Sequence, residues 1–119
     1  SVPRTYAIPA EYLIKGKNNV IAVRVYDAGG EGGILGREVS IFSYDAPFES
    51  ALPLMGNWKF RLADDARWAG EDYNDADWDN IVVPATWESQ GFHTYDGYAW
   101  YRKRFTLPAT YRTTNLALL

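Results

Sequence analysis

The sequence predicts an all-β fold of two facing antiparallel sheets, on three observations. Apolar residues recur with period two, turn-forming residues punctuate the chain every few positions, and no window of helical length keeps an apolar stripe at three-four spacing. At 119 residues, with 47% hydrophobic and 16% aromatic content, the chain is one domain's worth and has ample material for a packed core.

Taken in order, Gly16-Lys-Asn-Asn19 is a turn that opens a strand over residues 20–26. There Ile21, Val23 and Val25 share one face while Arg24 and Tyr26 share the other, and the β-branched residues suit a half-buried strand. Gly29, Gly30, Gly32 and Gly33 make a loop able to take positive φ. Residues 38–42 read as a further strand. The stretch from Ser43 to Ala51 reads as a linker. Trp58, Phe60 and Leu62 then alternate with Asn57, Lys59 and Arg61, and a strand over residues 81–83 ends at Pro84, which cannot donate to a ladder. In residues 100–107, Tyr101, Phe105 and Leu107 are in register with Lys103 as the exception, and residues 115–119 form a last candidate. The only helical signal is a turn over residues 9–13. Trp58, Phe60, Ile21, Val23 and Phe105 occupy the inward positions of three strands and are expected in one core.

Composition excludes several classes of function. Twelve basic against 15 acidic side chains give a net charge of −3, so neither nucleic acid nor an anionic membrane is an expected partner. The one dense basic run, Arg102-Lys-Arg104, alternates between strand faces and makes no phosphate-tracking stripe. With no cysteine there is no disulfide framework, thiolate zinc site or cysteine nucleophile. No apolar run is long enough to cross a bilayer as a helix. The chain starts at Ser1 without methionine or signal sequence and reads as an internal fragment.

A sugar ring presents an apolar C–H face that stacks on an aromatic ring, while polar side chains take its hydroxyls. Trp68, Trp87, Tyr95, Tyr98 and Trp100 are the aromatic candidates, and Glu88, Asp96 and Arg102 the polar ones. Against this, Trp58, Trp78 and Trp100 sit at strand or motif positions where burial is the usual fate of an aromatic. Trp87 and Tyr95, in the loop-rich stretch before Gly97, are better placed for the surface. His93, the sole histidine, lies between Glu88 and Asp96, but nothing in the sequence fixes a catalytic geometry there. Asp75, Asp77 and Asp79 have the spacing that opens an EF-hand loop, yet Asn80 replaces its glycine and Thr86 its bidentate glutamate. The EF-hand motif therefore fails and no cofactor is expected, while structural calcium held by backbone carbonyls, as in many β-sandwiches, is left open by the sequence.

Three strings are hard to obtain by chance together: Asp75-Ala-Asp-Trp78, Val83-Pro-Ala-Thr-Trp87 and Trp100-Tyr-Arg-Lys-Arg-Phe-Thr-Leu-Pro108. With Leu54-Met-Gly-Asn-Trp-Lys-Phe60 and the weaker Asn19-Val-Ile-Ala-Val23, they resemble the galactose-binding-like jelly-roll modules of family 2 glycoside hydrolases, of β-galactosidase and β-glucuronidase type, and of the related sialate O-acetylesterases. In that family the string from Leu54 opens the module and the one from Asn19 closes it. The resemblance thus implies exchanged halves: residues 1–43 as the C-terminal half of a jelly-roll sandwich, 44–51 as a linker, and 52–119 as the N-terminal half. The central hairpin that normally lies between them is missing. A lone half of about 50–70 residues buries too little surface to stand alone. Each must therefore pack on the other within a permuted chain, or on a second copy in a domain-swapped homodimer.

The resemblance further implies an accessory module that binds carbohydrate through Trp87, Glu88, Tyr95, Asp96, Tyr98 and Arg102. Its other partner would be the catalytic domain of a secreted or periplasmic hydrolase. This chain would not itself be an enzyme, since in the resembled proteins the reacting carboxylates or serine lie on a separate domain. An architectural domain that braces its neighbour without binding sugar is the alternative, and a loop contributed to the hydrolase's substrate pocket is a third.

Overall fold

The computed structural model describes residues 5–27, 33–34, 39–43, 51–86, 88–91, 97–108 and 116–118. The fold is all-β and antiparallel, as the period-two pattern predicts. Its strands are β1 (Tyr6–Ile8), β2 (Asn18–Asp27), β3 (Gly33–Ile34), β4 (Ser40–Ser43), β5 (Leu52–Pro53), β6 (Gly56–Leu62), β7 (Asp79–Val83), β8 (Ala85–Thr86), β9 (Gly97–Thr106) and β10 (Leu116–Leu118). Two four-stranded sheets have the orders β1-β10-β4-β5 and β2-β9-β6-β7, and β3 pairs β8 in a short separate ladder.

Every sheet draws strands from both sides of residues 44–51. The longest ladder joins β2 to β9 over ten residue pairs, from Asn18↔Thr106 to Asp27↔Gly97. A strand from the first third of the chain is thereby zipped to one from the last third, within a single chain. β4 and β5 pair across residues 44–50, with Ile41 opposite Leu52.

Strand alternation places the core. Ile21, Val23 and Val25 of β2, Ala99, Tyr101 and Phe105 of β9, Trp58 and Phe60 of β6, and Ile81 and Val83 of β7 all face inward. They meet Val39, Ile41, Leu52, Leu54, Ile8 and Leu118 on the side of the other sheet. The five residues expected in one core are all found there. Trp58 is fully buried, and its indole N–H donates to the Leu54 carbonyl at 2.7 Å, so even the polar atom of that ring is satisfied inside.

The predicted turn before β2 is stapled by Asn19. Its carboxamide accepts from the Ile14 N–H at 2.9 Å and donates to the carbonyls of Ile14 and Lys17 at 2.9 and 3.1 Å. Gly16, at φ 74°, takes the left-handed conformation and donates to the Leu107 carbonyl at 2.6 Å, which ties the turn to the end of β9. The helical signal near Pro9 is a single 3₁₀ turn, Ala10–Tyr12.

The outer edge of β7 carries an unusual cap. The Gln90 carboxamide accepts from the Val82 N–H at 2.7 Å and donates to the Val82 carbonyl at 2.8 Å, taking the positions of a neighbouring peptide group.

Candidate functional site

The two-sheet core leaves the outward residues of the β2-β9-β6-β7 sheet to form a second face. The registers set them in cross-strand rows: Tyr26 beside Tyr98, then Arg24–Trp100–Arg61, then Ala22–Arg102–Lys59–Asn80. Residues 63–78 cross the middle of this face as a strap. Ala63 starts it in the left-handed region at φ 102°, a strained conformation for a residue with a Cβ, while its N–H still donates to the Tyr98 carbonyl at 2.9 Å. Asp65 then caps the 3₁₀ turn Ala66–Ala69 by accepting from the Arg67 N–H, and the Arg67 guanidinium folds back on the same carboxylate. Those bonds, from side chain and then backbone, lower the Asp65 carboxyl to about 2.

Under the strap lies a small second core. Trp68, Trp78 and Trp100 pack edge to face, with ring centroids 5.2 and 6.1 Å apart, against Ala22 and Tyr73. The Arg102 guanidinium is threaded into the same space. It pairs with Asp75 at 2.7 Å, donates to the Tyr73 carbonyl at 3.3 Å and also donates to the Trp68 carbonyl.

The strap divides the face into two open ends. At one end Tyr26 and Tyr98 lie 4.7 Å apart, with ring planes at 53°. Tyr26 is 60% exposed and Tyr98 half-buried. The Arg24 guanidinium stacks over the Tyr98 ring at 3.9 Å and is held by two hydrogen bonds to Asp64, at 2.9 and 2.6 Å. Asp64 also accepts from the Trp100 indole N–H at 2.8 Å, so the strap, the buried tryptophans and the tyrosine pair are mechanically linked. This arrangement is a tilted aromatic shelf, with the Arg24 guanidinium over the Tyr98 ring and the Arg24–Asp64 pair along its rim. It stands at the end of β9 that follows directly on Tyr95 and Asp96 in the chain.

The hydrogen bonds from Arg24, and next that from Trp100, hold the Asp64 carboxyl below its ordinary 3.8 and raise Arg24 in turn. Because the folded value is the lower one, the contribution of this pair is complete above about pH 4 and is lost as pH falls through the folded value. The expected result is a Trp100 indole N–H resonance that titrates with a midpoint below 3.8. A midpoint at or above 3.8 would contradict the pair.

Of the residues expected to contact sugar, the structure brings Tyr98 to this shelf. Arg102 is placed elsewhere: it is 1% exposed, and its donors are taken by the strap, so it anchors the face from within instead of meeting a hydroxyl. Trp68 and Trp100, weighed as stacking surfaces, are 7% and 6% exposed and belong to the second core. Trp87, Tyr95, Asp96 and His93 lie outside the described residues, and Glu88 opens the 3₁₀ turn Glu88–Gln90. Sequence reasoning missed Tyr26, Arg24 and Asp64 as site residues. The outward phase of Tyr26 and Arg24 was legible, but their juxtaposition with Tyr98 needed the β2–β9 register.

Two curated relatives share sequence with this chain. Both are beta-galactosidases of Vibrio vulnificus, from strains CMCP6 and YJ016, 46% and 43% identical over alignments of 44 residues, with 33% of this chain covered. The chain spans 4% of the length of each. No family model matches it, and no solved structure gives a significant match. This short similarity is consistent with a glycoside-hydrolase-related module.

Proposed function

We propose that the chain is a non-catalytic carbohydrate-binding or accessory module of a carbohydrate-active hydrolase, glycosidase or sialate O-acetylesterase, built as a jelly roll with its halves in exchanged order. The observation that carries this reading is the Tyr26–Tyr98 shelf with its Arg24–Asp64 rim. The similarity to beta-galactosidases supports a glycosidase-type parent. On this reading the partners are carbohydrate and the parent's catalytic domain, in a secreted or periplasmic setting.

Calorimetry and amide-shift mapping with galactose, xylose, glucuronic acid and sialic acid derivatives test it. Shifts should cluster at Tyr26, Tyr98 and Asp64. Tyr26→Ala should weaken binding about tenfold, on the order of 1.4 kcal/mol, with an unchanged melting temperature because the ring is exposed. Binding that survives Tyr26→Ala undiminished would remove the shelf from the site.

One observation favours the architectural reading: three of the face's aromatics, Trp68, Trp78 and Trp100, are taken up by the small core beneath the strap. That reading expects no heat and no shifts with any of these sugars, and a gain in stability when the chain is joined to its catalytic domain.

A further inference from the structure

At the other open end of the same face, beyond the strap, β6 and β9 part company. Their ladder runs from Leu62↔Ala99 to Lys59↔Arg102 and stops there. The Lys103 ammonium bridges the opening by donating to the Asn57 carbonyl at 2.8 Å. The result is a groove of about 260 Å³ whose eight lining residues include four cations, Lys59, Arg102, Lys103 and Arg104, and one carboxylate, Asp75. That balance runs against the net negative charge of the protein.

Not all of these charges are available. Arg102 neutralises Asp75, and Lys103 is committed to Asn57. Lys59 has no carboxylate within 4 Å among the described residues, and the side-chain amides of Asn57 and Asn80 make no hydrogen bond there. Arg104 uses one nitrogen on the Tyr73 carbonyl at 3.1 Å and lies 3.8 Å from Asp75, leaving the rest of a half-exposed guanidinium. Two cations and two amides thus line an open groove with donors uncommitted among the described residues. Arginine's planar fork and lysine's compact charge together suit an oxyanion.

We infer that this groove binds a carboxylate or sulfate group carried by a saccharide, with Lys59 and Arg104 as the charged contacts and Asn57 and Asn80 as amide donors. The inference rests on the carbohydrate reading above but uses residues distinct from the tyrosine shelf, so the two can fail separately.

The test is titration of the intact chain at low ionic strength, where surface charge is least screened. The probes are a sulfated galactose disaccharide, a glucuronate-bearing disaccharide, their neutral counterparts and inorganic sulfate. At least one anionic disaccharide is expected to bind about tenfold or more tighter than its neutral counterpart and than inorganic sulfate. Lys59→Ala and Arg104→Gln should each weaken that binding about tenfold. Lys59→Arg should retain most of it, and Tyr26→Ala should leave the anionic preference intact. Melting curves establish that each variant is folded. Equal binding of charged and neutral sugars, no binding of any anion, sulfate binding as well as the disaccharides, or indifference to Lys59→Ala in a folded variant would each overturn the inference.

Discussion

Asp75→Ala is expected to cost about 3–5 kcal/mol of unfolding free energy, because it leaves the Arg102 guanidinium charged, buried and without its counter-ion. The side chains of Arg102 and Asp75 are 0% and 9% exposed, so the guanidinium left without its carboxylate stays largely out of water. The carbonyls of Trp68 and Tyr73 still accept from Arg102, but as neutral acceptors they do not offset a full charge. Urea unfolding checks this. Replacing both partners, as Asp75→Ala with Arg102→Met, should recover much of the loss, since the surrounding tryptophans can pack a thioether. A loss below about 1 kcal/mol for Asp75→Ala alone would mean that the ion pair does not hold the strap.

The second large effect is at the main core. Trp58→Ala should destabilise by about 3–5 kcal/mol through the cavity it leaves among Phe60, Ile81, Tyr101 and their neighbours. The Leu54 carbonyl also loses its indole donor. Trp58→Phe separates the terms, because it keeps much of the volume and removes only the N–H; its cost should be markedly smaller. Calorimetric melting is the readout. An unchanged melting temperature for Trp58→Ala would place the ring outside the core.

How much of this could be read from the residues alone follows from what alternation can and cannot report. Inward phase is a local property, so the facing of Ile21, Val23, Trp58, Phe60, Tyr101 and Phe105 was legible without knowing which strands pair. Alternation does not report whether the other face is covered. Arg102, outward on β9, looks like a surface residue until residues 63–78 are laid over it, whereas the motif position of Trp100 predicts its burial, and it is buried. That strap has no period of its own: a positive-φ alanine, an Asp65 cap and the Asn74 carboxamide accepting from the Ala76 N–H set its path. For the same reason Trp68 read as a stacking ring, and Asp75 as one of several acidic residues in a run. The candidate site divides similarly. Tyr98 was recognisable by type, whereas its companions Tyr26, Arg24 and Asp64 come from parts of the chain that only the β2–β9 register and the strap bring together.

The Gln90 carboxamide on Val82 bears on how copies of this chain could aggregate. A sheet open at both flanks can add molecules without limit, which is the geometry of a fibril. Here one flank of the β2-β9-β6-β7 sheet is stoppered by a side chain posing as a backbone, while the far flank of β2 has no ladder partner among the described residues. The outermost strands of the other sheet, β1 and β5, are three and two residues long, too short to template much. Were two copies to pair through β2, the contact would close on itself about a two-fold axis, and Gln90 would keep the opposite flank from extending the sheet further.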